Sequence, residues 1–168
     1  FNEDFKKKGN FFSLLICKKK IRGNFILLDA DIILPKNSLQ KFIKDRRKNL
    51  VMTNPKNHFN SDDIILNLNK KKFISNVFIK KRLNNQKPKF ASAGVIKMSK
   101  SAKKIFFDKL ERMFKTGKHN HYYEDSYKDL FFNTNFYIYP LKKDRLEIDT
   151  FDDYKKVLSI LDRKNFYV

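Results

Sequence analysis

The stretch Gly23-Asn24-Phe25-Ile26-Leu27-Leu28-Asp29-Ala30-Asp31 decides the fold class. Four apolar residues run uninterrupted between a turn pair, Gly23-Asn24, and a pair of acids. The run lacks the alternation of a strand with one wet face, so it predicts a short strand buried on both faces. Strands of that kind belong to sheets covered by helices. The acids then stand at the carboxyl end of the strand, where open α/β sheets place their ligands.

Working outward, residues 11–21 carry Phe12, Leu15 and Ile16 at helical spacing and stop at Gly23. Pro35 to Ser38 supply a turn and a cap for a short helix with Leu39, Phe42 and Ile43 on one face. Further strands are predicted over residues 50–53, 64–67, 73–80, 90–98 and 136–141. A polar loop is expected over 56–63 and a basic connection over 81–89. Residues 99–114 form the clearest helix, with Ala102, Ile105, Phe106, Leu110, Met113 and Phe114 as its apolar stripe. A helix over 122–132 follows. The last helix is capped by Thr150 through Asp153, with Phe151, Tyr154, Leu158 and Leu161 inward. Strands alternating with helices predict one α/β domain over residues 1–168, with a mixed, mainly parallel sheet.

Composition narrows the class. The 168 residues are 41% hydrophobic and 15% aromatic, which is globular rather than disordered. The densest apolar runs, residues 13–17 and 25–28, fall far short of a membrane span, and the first eight residues have no signal-peptide hydrophobic region. A cytoplasmic location is expected. Cys17 is the single cysteine, which excludes an internal disulfide framework and a cysteine-rich zinc module. Within its helix it reads as a small core residue.

The net charge of +20, from 38 basic and 18 acidic residues, has two readings. One is a basic nucleic-acid-binding domain. The other is a lysine-rich surface in a chain rich in Lys, Asn, Ile and Phe and without Trp, as A/T-rich codons produce. The basic residues are scattered (Lys18 to Lys20, Arg46 to Lys48, Lys70 to Lys72, Lys80 to Arg82), which favours the second.

Three groups of residues could carry chemistry. Asp29 and Asp31, two apart in extended chain, can present both carboxylates to one side. Clustered hard oxygens suit Mg²⁺, although an Asp at this point also simply opens a turn. Glu147 and Asp149 repeat the spacing just before a helix, where acids also collect to match the helix dipole. Carboxylates converging from two such elements are what a divalent cation needs. The third group is His119-Asn120-His121-Tyr122-Tyr123-Glu124-Asp125. The histidines lack a third ligand at metal-site spacing and read as polar loop. Tyr122, Tyr123, Glu124 and Asp125 read either as an amphipathic helix start or as aromatic faces beside acids, the means of holding an ammonium group.

In this order the motifs resemble a family. Phe1-Asn2-Glu3-Asp4-Phe5, Asn10-Phe11-Phe12-Ser13-Leu14 and residues 25–31 look like the middle of the phosphocholine cytidylyltransferases, within the sugar-phosphate nucleotidyltransferase superfamily. Ala91-Ser92-Ala93-Gly94-Val95 matches the strand lining the family's substrate pocket, and Tyr122 to Asp125 its aromatic-acidic segment. Glu147-Ile148-Asp149 with Asp152-Asp153-Tyr154 matches its closing motif. The likeness runs over nearly the whole chain and is weakest across residues 55–88. It rests on the order of the motifs, since none is specific alone.

The resemblance implies a Rossmann-like three-layer α/β/α sandwich and a set of roles. Asp31 and Asp149 would be catalytic and ligate Mg²⁺, with Glu147 and Asp29 as further or supporting ligands. Tyr122, Tyr123 and Glu124, with Ser92 and Gly94, would bind a choline-like substrate. The implied reaction couples CTP to phosphocholine and releases pyrophosphate, the phosphate oxygen of the substrate attacking the α-phosphorus. Phosphoethanolamine, 2-aminoethylphosphonate and a sugar 1-phosphate are the next acceptors. The family opens with a strand and a Gly-rich loop carrying a basic residue. Gly9, Gly23, Gly94 and Gly117 are isolated, so nothing here matches that loop. The implied fold therefore lacks its first βα unit, and this stretch alone would be inactive. A degenerate transferase kept as a structural piece, and the basic nucleic-acid-binding domain, are the alternatives.

Overall fold

A computed structural model of the chain describes residues 2–54, 63–79, 90–117 and 121–163. Most of the expected polar loop, the basic connection over 81–89, and His119 lie outside the described residues. The elements in order are helix α1 (Asn10–Cys17), strands β1 (Phe25–Leu28) and β2 (Ile32–Ile33), and helix α2 (Ser38–Lys44). Strands β3 (Leu50–Asn54), β4 (Ile64–Leu68), β5 (Ile74–Ile79) and β6 (Phe90–Met98) follow, then helix α3 (Lys100–Lys115). A 3₁₀ turn (Tyr123–Ser126), helix α4 (Tyr127–Asn133), strands β7 (Tyr137–Pro140) and β8 (Leu146–Glu147), and helix α5 (Phe151–Arg163) complete the order.

The main sheet runs β5-β4-β6-β3-β7, with β1 on β6. β6 organises it. One edge of this nine-residue strand pairs along β3; the other is shared, β1 taking Val95 to Met98 and β4 taking Phe90 and Ala91. The sheet is mixed, but the expectation that it is mainly parallel needs correcting. β6 is antiparallel to β1, β3 and β4, and β4 and β5 form an antiparallel hairpin. The hairpin is closed by Asn69, whose N–H bonds the Phe73 carbonyl at 2.9 Å. β3 and β7 pair in parallel, separated in sequence by helices α3 and α4 as such pairs require.

Alternation along the strands divides the core into two layers. Val51, Ile96 and Met98 join α1, α3 and α4 through Phe11, Phe106, Phe107, Leu110, Leu130 and Phe131. Leu50, Met52, Ala93 and Val95 face the other way, onto Phe42 of α2 and Leu141. Helices on both faces of a sheet make the three-layer α/β sandwich. Each fully buried Phe or Leu contributes about 1.5–3 kcal/mol. Ser99 caps α3, its Oγ accepting from the Ala102 N–H at 3.2 Å, worth about 1 kcal/mol.

Three other expectations are corrected. β1 does pack on both faces, Phe25 and Leu27 against one core layer and Ile26 against the other, but it is only partly buried and Leu28 is exposed, because among the described residues its second edge is unpaired. Cys17 is exposed, since α1 turns Phe11 inward instead. On α5, Phe151 is 70% exposed, and Tyr154 and Leu158 are exposed too; the helix docks through Val157, while Phe151 and Tyr154 stack on each other.

Candidate active site

The site forms where the edge of β6 passes from β1 to β4. β1 ends at Leu28, and the Asp29 N–H still bonds the Gly94 carbonyl at 3.0 Å. Gly94 has φ +73°, and a Cβ there would fall 2.5 Å from Asp29 Oδ2. Only glycine lets the strand pass beneath this carboxylate. The Gly94 N–H donates to Ser92 Oγ at 3.3 Å, so Ser92 stabilises this kink.

From the other layer, the 3₁₀ turn brings Tyr123. Its ring is 5% exposed and packed edge-on against Phe106 and Tyr127, and its hydroxyl donates to Asp29 Oδ1 at 2.5 Å. Asn10, at the start of α1, holds the turn by accepting the Tyr123 N–H at 2.8 Å. Burial raises the Asp29 pKa and the Asp31 charge adds to this, against the Tyr123 bond and the Arg145 charge. Burial likewise pushes the Tyr123 and Tyr127 hydroxyls far up, so both remain protonated donors.

Glu124 lies beside them. Burial raises its carboxyl to about 7, opposed by hydrogen bonding, including the side chains of Tyr123 and Asn10. Its Oε2 is buried and has no hydrogen-bond partner among the described residues. Tyr122, by contrast, is 63% exposed, and its backbone N–H is capped by Asp125, which also pairs with His121 at 2.8 Å. Of the aromatic-acidic segment, Tyr123 and Glu124 therefore reach the Asp29 network, while Tyr122 projects into solvent.

The second acid pair arrives through a separate two-stranded ladder. β2 and β8 run antiparallel with Ile32 opposite Glu147, and the Ile148 N–H bonds the Asp31 carbonyl at 2.9 Å. This ladder draws Glu147 and Asp149 alongside Asp31. Burial raises the Glu147 pKa, and the charges of Asp149 and Asp31 raise it further, against the pairing with Arg145. Arg145 Nη1 lies 2.6 Å from Glu147 Oε1. Among the described residues no three His, Cys, Asp or Glu side chains form a group that could hold a metal ion.

Sequence reasoning missed Arg145 and the holding role of Asn10. Arg145 was findable: with Glu147 and Asp149 it follows the two-residue period that puts side chains on one face of extended chain. Asn10 carries no such local signal, since its partner Tyr123 is 113 residues away.

No protein-family model matches the chain, and no curated protein does. Solved structures do. The CTP:phosphocholine cytidylyltransferase from Streptococcus pneumoniae aligns over 96% of this chain and 67% of its own, with TM-score 0.78 and 20% identity. The inositol-1-phosphate CTP transferase from T. maritima aligns over 96% and 64%, with TM-score 0.71 and 15% identity. A protein from Bacillus anthracis assigned as a glucose-1-phosphate thymidylyltransferase aligns over 96% and 64%, with TM-score 0.72 and 11% identity. The chain thus spans about two thirds of the length of these proteins, and it has the α/β fold that these nucleotidyltransferases share.

Proposed function

We propose that the chain is part of a nucleotidyltransferase that joins CTP to a phosphorylated amino alcohol, phosphocholine foremost, and releases pyrophosphate. The observation that carries this reading is the β2–β8 ladder, which joins the segment carrying Glu147 and Asp149 to the segment that follows Asp31, just beyond β1. The likeness in fold to enzymes of this class supports it.

The residues fit Mg²⁺. This ion is ordinarily held by one or two carboxylates together with substrate phosphates, so it needs no three-residue protein cage. Glu147 is engaged by Arg145 and Asp29 by Tyr123, so Asp31 and Asp149 would hold the ion and the other two would support them. Bound there, Mg²⁺ would supply neutralisation of charge at the α-phosphate. The chain's own part is positioning: no general base is needed, because the attacking phosphate is already an anion.

The acceptor follows from the aromatic-acidic segment. A trimethylammonium group has no N–H to donate, so aromatic faces and a nearby carboxylate remain as the means of choosing it. The unpartnered buried Oε2 of Glu124 supports that choice as the carboxylate, and the exposed ring of Tyr122, its neighbour in sequence, is the aromatic face available to it. A polyol or sugar 1-phosphate is the second reading, favoured by two of the three structural neighbours being named for such substrates. The test is pyrophosphate release by the complete protein that carries this chain, with Mg²⁺, CTP and a panel of acceptors. Preference for phosphocholine supports the first reading, preference for a 1-phosphate the second. No turnover with any acceptor, together with strongly salt-dependent binding of single-stranded nucleic acid, would replace both with the nucleic-acid-binding alternative.

A further inference from the structure

Arg145 is a guanidinium built into the site with part of its hydrogen-bonding capacity unused. Its side chain is only 10% exposed. Its backbone N–H is anchored on Asn54 Oδ1 at 3.3 Å, at the end of β3, so the residue is tied to the main sheet as well as to the ladder. Nη1 pairs with Glu147 at 2.6 Å. Nε and Nη1 are both buried, and neither has a hydrogen bond of good geometry among the described residues, so the short contact with Glu147 is an ion pair. The guanidinium charge lowers the pKa of Asp29 as well as that of Glu147, so it is felt by a member of each acid pair.

Ion pairing with Glu147 accounts for the charge of Arg145 and leaves its buried Nε–H without an acceptor. Lysine would serve Glu147 equally well. The planar fork of arginine differs in offering Nε–H alongside its Nη donors, the arrangement that matches the oxygens of a phosphate. A buried donor without an acceptor is disfavoured unless a ligand completes it.

We propose that Arg145 is a phosphate-binding residue of this site, donating its Nε–H to a phosphoryl oxygen while Nη1 stays on Glu147. The inference rests on the nucleotidyltransferase reading for its setting, and it deepens that reading by adding a binding residue. The phosphoryl oxygen belongs either to the nucleotide or to the acceptor, and the two sources separate in the assay below.

The experiment has two arms, both on the complete protein that carries this chain. In the first, Arg145→Lys keeps the charge and the pairing with Glu147 but removes Nε–H. The KM for one substrate should rise at least tenfold, with kcat changed by less than threefold. A rise for CTP identifies the nucleotide as the source; a rise for the acceptor identifies the acceptor phosphate. Unchanged KM values for both substrates in an active, folded variant overturn the proposal and leave the nucleotidyltransferase reading standing. The second arm needs neither the variant nor turnover. In ¹⁵Nε-arginine-labelled wild-type protein, pyrophosphate should shift the Nε–H resonance of Arg145, assigned through bonds from its backbone. A resonance unmoved by saturating pyrophosphate, CTP and acceptor overturns the proposal. A shifted resonance in a protein that turns over none of the panel keeps phosphate binding and removes the proposed reaction.

Discussion

The carboxylate of Asp29 occupies the space in which a side chain at residue 94 would begin. A Cβ on Gly94 would lie 2.5 Å from Asp29 Oδ2 and 3.2 Å from its Cγ, and the Gly94 φ of +73° already disfavours any other residue. The strand that lines the site and the acid at its centre are therefore fixed against each other by a missing methyl group.

Gly94→Ala should destabilise the fold by about 2–3 kcal/mol, combining the left-handed backbone cost with displacement of Asp29. Urea unfolding measures it. In an Asp29→Ala background the same substitution should cost less, because the Oδ2 contact is gone. Equal costs in both backgrounds would show that the two residues are not coupled.

Tyr123→Phe removes the donor to Asp29 and leaves a buried carboxyl without it. A loss of about 1–3 kcal/mol is expected. That bond lowers the Asp29 pKa against the effect of burial, so the variant should raise it further. Carboxyl ¹³C titration of Asp29 checks the direction. A pKa that falls, or stays put, would mean the hydroxyl does not support the charged form.

Much of this arrangement was legible in the sequence because its cause was local. The run Phe25 to Leu28 and the stripe on α3 follow from spacing alone, and both elements appear where spacing puts them. What was not legible depends on distant partners. Whether β1 is covered on both edges depends on which strands flank it, and whether α5 turns Phe151 or Val157 inward depends on what it docks against. The sheet is mostly antiparallel because β6 runs opposite to β1, β3 and β4, a relation that no window of residues contains. The two acid pairs were visible one at a time. Their approach through the β2–β8 ladder was not, since those two-residue strands are too short to have a pattern.

Asp31→Asn and Asp149→Asn should each lower turnover by at least about 100-fold, the scale seen when one charge-stabilising group is lost from a reacting centre. The unfolding midpoint should stay close to wild type, because removing one of several crowded carboxylates relieves repulsion. Glu147→Gln should behave differently. It breaks the pairing with Arg145 and leaves a buried guanidinium without its anion, so stability falls along with activity. Parallel assays of turnover and unfolding separate the two classes. Full activity in Asp31→Asn or Asp149→Asn would remove that residue from the proposed ion site.

Burial raises the Glu124 carboxyl to about 7, which gives the site a pH dependence. Because the folded value lies above the ordinary glutamate value of 4.5, the folded state keeps its proton longer than the unfolded chain does. Stability is therefore greatest below about 4.5 and falls as pH rises through 7, by about 3 kcal/mol at most. Glu124→Gln should flatten that decline. A bound cation prefers the ionised carboxylate, so the affinity for choline should run the other way. It should rise close to tenfold per pH unit below 7 and level off above it, with a proton released on binding. Choline is the proper probe, since it carries no phosphate to titrate in the same range. Calorimetry in buffers of different ionisation enthalpy counts the proton directly. Binding that is independent of pH, or a slope that survives in Glu124→Gln, would separate Glu124 from the cation and shift the balance toward a 1-phosphate acceptor.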